Sequence, residues 1–319
     1  MRVVVTGGAG YIGSVVAAQL IAAGHEVTVI DDLSTGHADA VPAGARFVQT
    51  SITEIGDVLA AVPVDAVIHL AAKSLVGESV VEPAAYWRNN VVGTLAILDA
   101  MRAHGVPRIV FSSSAATYGD VTEQPIRETS AARPTSPYGA TKLAVDLALT
   151  DYAHQYGLAA VSLRYFNVAG ALLTERQNFG ERHGTETHLI PNALLAAGGS
   201  GVTMKLFGTD YPTPDGTCVR DYIHVVDLAV AHLLALDVEP GHHIVNLGQG
   251  SGYSVRQVLD AVQDVTGLPV PIAEAPRRDG DPATLVASNE KALALLGWKP
   301  TLDLHAMVRD AWRFHQSQL

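Results

Sequence analysis

Tyr138 and Lys142 bracket the segment Tyr138-Gly139-Ala140-Thr141-Lys142, and a serine run, Ser112-Ser113-Ser114, precedes them. Residues four apart meet on one face of a helix, and Pro137 suits a helix start. A free tyrosine titrates near 10, so bringing it to about 7 takes roughly 4 kcal/mol of preferential phenolate stabilisation. An adjacent ammonium and the positive ring of a nicotinamide both supply charge of the right sign. A phenol so acidified can take a sugar-hydroxyl proton while hydride leaves the same carbon. Ser114 would hydrogen-bond that hydroxyl. The candidate catalytic residues are therefore Ser114, Tyr138 and Lys142.

Such chemistry needs a dinucleotide, and the N-terminus has the residues to hold one. An apolar strand, Val3 to Thr6, runs into Gly7-Gly8-Ala9-Gly10-Tyr11-Ile12-Gly13. Gly7 permits the tight turn, Gly10 lets a pyrophosphate approach the backbone, and Gly13 allows close helix–strand packing. The following helix points its free N–H groups at the phosphates. Asp31 ends the second strand, where a carboxylate accepts from both adenosine-ribose hydroxyls and repels a 2′-phosphate, favouring NAD over NADP.

Strand and helix patterns alternate around these positions. Short β-branched runs at residues 3–6, 26–30, 46–48, 66–70, 109–112 and 160–163 read as strands buried on both faces. Segments 14–23, 84–104 and 138–155 read as helices between them. This order predicts an α/β fold, a Rossmann-type doubly wound parallel sheet. Beyond about residue 166 the pattern loosens: 180–187 reads as a polar loop, 207–216 as irregular, and helices recur at 225–236, 254–266, 289–295 and 304–316. The expected division is a dinucleotide-binding domain over 1–166 and a smaller C-terminal substrate-binding lobe over 167–319, with the chain weaving between them. On helix 138–155, Ala140, Leu143, Ala144 and Leu147 form an apolar stripe opposite Tyr138 and Lys142, a side on which periodicity alone would not bury that polar pair.

Composition narrows the class. The chain has 319 residues, 48% hydrophobic, and a formal net charge of −11. An acidic surface does not draw in nucleic acid or an anionic membrane through its overall field. The single cysteine, Cys218, excludes an intrachain disulfide and reads as a packed thiol. The first residues lack the regions of a signal peptide, and no apolar run nears the roughly 20 residues of a membrane span. The expectation is a cytoplasmic protein. His242-His243 lacks partners at ligand spacing and reads as flanking a strand, so no metal is assigned.

The glycine loop, His69-Leu70-Ala71-Ala72, Ser112-Ser113-Ser114-Ala115 and Tyr138 to Lys142 resemble the extended short-chain dehydrogenase/reductase superfamily. Five further segments are similar to its UDP-glucose 4-epimerase family: Leu75 to Ser79, Arg164 to Asn167, Phe207 to Pro212, Val219 to Val225 and Arg277-Arg278-Asp279-Gly280-Asp281. The resemblance covers nearly the whole chain. It implies redox-neutral interconversion of UDP-glucose and UDP-galactose at C4 through a transient 4-keto sugar, with NAD tightly bound.

Position by position, the resemblance implies NAD contacts from Gly7, Gly10, Tyr11, Ile12 and Gly13, and from Asp31, Asp32, Leu33, Ser34, Thr35 and Gly36. It adds Ser51 and Ile52 on the adenine side, then Leu70, Ala71, Ala72, Lys73 and Ser74, and Asn89, Ser112, Tyr138, Lys142 and Phe166. Many family members carry Asp where Ser51 stands, and some a lysine where Ser74 stands, one place after Lys73. On the sugar-nucleotide side it implies Ser114, Tyr138, Asn167, His188, Leu189, Phe207, Arg220, Arg278 and Asp281. Arg220 and Arg278 suit a diphosphate because a guanidinium fork bonds its oxygens bidentately, and Asp281 suits a ribose hydroxyl. Read structurally instead, Arg220-Asp221 is an ion pair and Arg277-Arg278 a solvated loop. The resemblance also implies a homodimer joined through helices 84–104 and 138–155. Two other functions stay open: a nucleotide-sugar 4,6-dehydratase, which needs an extra acid–base pair where Ala115-Ala116 follow Ser114, and a noncatalytic NAD-binding sensor, which has no need of Tyr138, Lys142 and Ser114 together.

Overall fold

The computed structural model describes residues 1–278 and 281–318. Asp279 and Gly280 of the arginine-rich motif, and Leu319 at the end of the expected second lobe, lie outside the described residues. Six strands follow in chain order: β1 (Arg2–Thr6), β2 (Glu26–Asp31), β3 (Arg46–Gln49), β4 (Ala66–His69), β5 (Arg108–Ser114) and β6 (Ala159–Tyr165). With Gly241–Leu247 they form one seven-stranded sheet, ordered Gly241–Leu247, β6, β5, β4, β1, β2, β3, and each neighbouring pair is parallel. The doubly wound expectation holds. The edge strand Gly241–Leu247 was not anticipated, and it contains His242 and His243 rather than being flanked by them. His242 bridges Thr150 Oγ1 and Ser162 Oγ, both at 2.8 Å.

The strand pattern follows from burial on two faces. Val3 and Val5 enter one apolar cluster while Val4 enters the other, as a period of two requires. Helix α1 (Tyr11–Ala22) covers the first face beside helix Val225–Leu234; α2 (Ile55–Ala61), helix Gly93–His104 and helix Pro137–Tyr156 cover the second. A third cluster joins helices Leu189–Ala197, Val255–Thr266 and Leu304–Ser317. The first of these is a helix that the sequence pattern missed.

Two expectations about helices change. The run 84–104 is not one regular helix: Pro83–Tyr86, a wider π turn over Trp87–Val92, and Gly93–His104 succeed one another. The wide turn carries Asn90, whose buried amide bonds Lys73 and Thr141. Helix Pro137–Tyr156, capped by the Ser136 hydroxyl at the Gly139 N–H and ended by Gly157 at φ 70°, also turns the other way from expectation. Thr141, Lys142, Val145, Asp146, Leu149 and Ala153 face inward, whereas Leu147 is 61% exposed. Polar side chains occupy the buried face because each finds a partner there, which hydrophobic periodicity does not register.

No helix among the described residues is long and apolar enough to cross a membrane.

Candidate active site

The C-terminal ends of the parallel strands bring the candidate groups toward the point where strand order reverses about β1 and β4, the place where such sheets bind ligands. The glycine loop leaves β1 there. Gly7 has φ 72°, and a Cβ on it would stand 2.6 Å from the Ala71 nitrogen. A Cβ on Gly13 would lie 2.1 Å from the Gly7 carbonyl oxygen, so only glycine lets α1 approach β1 this closely. Gly10 caps α1 without a side chain, leaving the first N–H groups of that helix for a ligand. The Tyr11 hydroxyl is turned away and donates to the Gly170 carbonyl at 2.6 Å.

Asp31 ends β2 beside this loop. Its carboxylate accepts from the Ala9 N–H at 3.0 Å and the Leu33 N–H at 2.9 Å. Burial pushes its carboxyl up, and those two donors pull it back. Gly36 packs against the same carboxylate, and the His37 N–H closes the 31–37 loop on the Ala9 carbonyl at 2.9 Å. Asp32 accepts from the Ser34 N–H at 2.9 Å, and Thr35 is exposed. Ser51 caps a short 3-10 turn beginning at Ile52, its hydroxyl bonded to Thr53.

The Leu70–Ser74 stretch leaves β4 on the opposite wall. Asn90 fixes it by accepting from the Lys73 N–H at 2.8 Å and donating to the Lys73 carbonyl at 3.0 Å. The Lys73 ammonium meets Glu78 at 3.2 Å, and Asn89 donates to Asn90 at 3.0 Å. Asn90 was overlooked in sequence; its signal was only its place beside Asn89 and ahead of Thr141. His69, which ends β4, is locked between Thr6 Oγ1 at 2.7 Å and Thr94 Oγ1 at 2.8 Å, and burial pushes its imidazole down to about 3.

Tyr138 and Lys142 do share a face, and Ser114 stands close enough to Tyr138 to act on its phenol. Lys142 is 2% exposed and its Nζ donates to the Ser112 carbonyl at 2.6 Å. It lies 5.8 Å from the Tyr138 ring centre and 4.8 Å from that of Phe111. Burial pushes the Lys142 ammonium down to about 7, opposed by Asp146 one turn along the helix. Burial likewise pushes the Tyr138 phenol up, opposed by Ser114. The acidification expected of Lys142 is thus not expressed in the protein alone, because the apolar surroundings penalise both charges. Ser112 bonds the Tyr165 hydroxyl and Ser113 donates to Asp146 at 3.2 Å, while Asp146 pairs with buried Arg164 at 2.7 Å. Ser114 caps the turn Ala115–Thr117 by accepting from the Ala116 N–H at 3.1 Å.

The groups expected on the sugar-nucleotide side come from separate loops. Phe166 follows β6 half-buried, and Asn167 donates to the Asp221 carbonyl at 2.8 Å. Arg220 pairs with Asp281, not Asp221; Asp221 is wholly buried and accepts from the N–H groups of Gln249, Gly250 and Ala287 at 2.6 to 3.0 Å. The Arg220–Asp221 ion pair considered from sequence is therefore absent. Arg278 stacks 4.0 Å over the Phe207 ring, and with Asp281 it lines an open cavity of about 460 Å³ to which Asp120, Val121 and Thr122 also contribute. Arg277, on the wall of the same cavity, stacks 4.3 Å over Tyr211 and binds Asp210 at 2.7 Å. His188 caps helix Leu189–Ala197, with Nδ1 turned to Glu181. Cys218 is buried, and burial pushes its thiol up, away from nucleophilic use.

Residues 3–248 match the NAD dependent epimerase/dehydratase family. The chain belongs to that family. It is 56% identical to the UDP-glucose 4-epimerase of Corynebacterium glutamicum, over 98% of this chain and 95% of that protein. Among solved structures it is similar to the UDP-glucose 4-epimerase of Brucella ovis in complex with NAD, at 45% identity and a TM-score of 0.95, with 98% of each chain covered. It is also similar to the Stenotrophomonas maltophila enzyme with bound NAD and formylated UDP-arabinopyranose, at 41% identity and 0.96, covering 100% of this chain and 98% of that one. The residues present fit the family's dinucleotide. A Cβ on Gly10 would meet only the Gly7 carbonyl, at 3.3 Å, so that side of the loop is open above an uncapped helix terminus. The Asp31 oxygens keep lone pairs beyond the two N–H groups they already accept.

Proposed function

We propose that this chain interconverts UDP-glucose and UDP-galactose by inverting C4, with NAD held as a resident cofactor. What supports this reading is that Tyr138, Lys142 and Ser114 cluster at the C-terminal end of β5, two strands along the sheet from β1 and its open glycine loop. When bound, NAD supplies the reversible two-electron acceptor, and its positive ring adds charge that favours the phenolate. Tyr138 Oη takes the proton of the sugar 4-hydroxyl and returns it to the 4-keto sugar after the sugar turns over. Ser114 holds that oxygen in both orientations. Lys142, anchored on the Ser112 carbonyl, keeps a proton within reach of the phenol and would help to hold the dinucleotide. Gly7, Gly10, Tyr11, Ile12 and Gly13 take the pyrophosphate, and Asp31 to Gly36 the adenosine ribose. Ser51 and Ile52 border the adenine. Leu70 to Ser74, Asn89, Ser112 and Phe166 enclose the rest.

On the substrate side, Arg220 and Arg278 hold the diphosphate and Asp281 a ribose hydroxyl. Substrate then parts the Arg220–Asp281 pair, exchanging one charge-assisted bond for another. Asn167, Leu189, Phe207 and the outer nitrogen of His188 complete the nucleotide pocket. Residues 1–166 supply the dinucleotide half and 167–319 most of the sugar half. No carboxylate stands at Ala115 or Ala116 to support a dehydratase. A cytoplasmic homodimer fits the same reading: Val80, Val81, Trp87, Val92 and Leu147 are exposed around the paired helices.

Purified protein should convert UDP-galactose to UDP-glucose without added NAD. Failure to form UDP-glucose from protein carrying the dinucleotide would remove the assignment. Sedimentation at micromolar concentration should find a dimer, and a monomer alone would remove the proposed pairing.

A further inference from the structure

The loop before helix Leu189–Ala197 carries a cluster from which the proposed reaction takes only the outer nitrogen of His188. Glu181, His183, Glu186 and His188 bring one nitrogen or oxygen each to within 4.8 Å of all the others. His183 Nδ1 lies 3.0 Å from Glu181 Oε1 and 3.5 Å from Glu186 Oε2. His188 Nδ1 lies 3.4 Å from Glu186 Oε1 and is hydrogen-bonded to Glu181 Oε1. Ligands bound about 2.1 Å from a tetrahedral ion stand roughly 3.4 Å from one another. The two separations to Glu186, 3.5 and 3.4 Å, match that spacing, and the two to Glu181 are shorter, as direct hydrogen bonds are.

The surroundings favour a cation. The Glu181 and Glu186 side chains are 7% and 11% exposed, so two carboxylates share a site with little water. They line a cavity of about 210 Å³ whose other walls include Ile190, Leu194 and Phe314. Apolar walls raise the cost of unbalanced negative charge. Arg182, the one Lys or Arg between 181 and 188, is committed to Asp39 at 2.8 and 2.9 Å. Arg182 and His315 also line the cavity, but within the cluster itself the carboxylates are balanced by the two imidazoles or by an ion between them. Both imidazoles are partly exposed, which leaves a way in.

We infer that Glu181, His183, Glu186 and His188 form a binding site for a tetrahedral divalent metal ion of the zinc class. Two imidazoles and two carboxylates make a mixed nitrogen and oxygen set that suits zinc, whereas calcium and magnesium take oxygen cages. The ion cross-links residues 181–188 and fixes the entry into helix Leu189–Ala197. It takes no part in the proton or electron transfers at Tyr138. Sequence alone hides the site: the spacing Glu-x-His-x-x-Glu-x-His matches no helical face, and the loop's turn is what closes it.

Cobalt supplies a direct readout, because four-coordinate Co²⁺ absorbs intensely in the visible and six-coordinate Co²⁺ does not. Full-length protein, stripped with chelator and titrated with Co²⁺ near neutral pH, should bind one equivalent with four-coordinate absorption, and Zn²⁺ should displace it. His183→Gln and Glu186→Gln should each abolish that absorption, and His242→Gln should leave it intact. Far-UV circular dichroism checks the fold of each variant, and Glu186→Gln, nearly isosteric, serves if His183→Gln does not fold. Lack of a stoichiometric four-coordinate spectrum in the unaltered protein would overturn the site. So would a spectrum that survives in folded Glu186→Gln protein.

Discussion

The two halves of the crevice are built by different physics. At the dinucleotide end the determinants are backbone ones: Gly7 at positive φ, Gly13 with no room for a Cβ, and an uncapped helix start. Each fails completely if altered, because a peptide group cannot move aside without moving β1 or α1. At the sugar-nucleotide end the determinants are side chains already engaged with one another: Arg220 with Asp281, Arg278 on Phe207, and Arg277 with Asp210. Those contacts can be exchanged singly. On the proposed function the first end holds the resident cofactor and the second takes and releases the substrate, and rigid backbone against exchangeable side chains suits that division.

Replacement of the phenol tests what lies between the two ends. Tyr138→Phe should lower kcat by about a thousandfold, the scale of a lost general base, while retaining dinucleotide and far-UV dichroism. Normal turnover would remove the role of Tyr138. Gly13→Ala should sharpen the comparison from the cofactor side. A methyl 2.1 Å from the Gly7 oxygen forces α1 off the sheet, so the purified variant should carry less than about a tenth of the usual dinucleotide, read by release and chromatography. Arg278→Ala should act gradually by contrast. Loss of one charge-assisted contact of about 1.5 to 3 kcal/mol raises KM by roughly ten- to a hundredfold, with kcat little changed. Equal retention of dinucleotide in Gly13→Ala and unaltered protein would break the contrast.

The smallest effect concerns the buried lysine. In dinucleotide-free protein Lys142 titrates near 7, far below its value of about 10.4 in an unfolded chain. Between those values the unfolded state binds the extra proton, so stability rises with pH. The penalty is complete below about pH 7 and is relieved as pH climbs toward 10. Lys142→Met should therefore flatten the rise of the urea midpoint between pH 7 and pH 9 relative to unaltered protein. An unchanged slope would show that burial does not depress the ammonium.

The same contrast explains what was legible in the sequence. The glycine loop, Asp31 and the six strands could be read because each depends on a few neighbouring residues and a fixed period. Strand Gly241–Leu247 could not, since it pairs with β6 across the whole of residues 166–240 and opens on Gly241, His242 and His243 rather than on an apolar run. The inward face of helix Pro137–Tyr156 was misjudged because Lys142 and Asp146 are buried through partners, Ser112 and Arg164, that hydropathy does not weigh. Resemblance supplied Arg220, Arg278 and Asp281, but the pairing of Arg220 with Asp281 rather than Asp221 is a tertiary fact. Asn90 and Thr94 behave the same way: ordinary in sequence, they hold the 70–74 wall and His69 only because the chain folds them there.

The central claim is that the electrons removed from C4 return to the same carbon. UDP-galactose carrying deuterium at C4, incubated without added NAD, should give UDP-glucose with the label still at C4, by mass spectrometry and proton NMR. Loss of that deuterium to solvent during conversion would contradict the account.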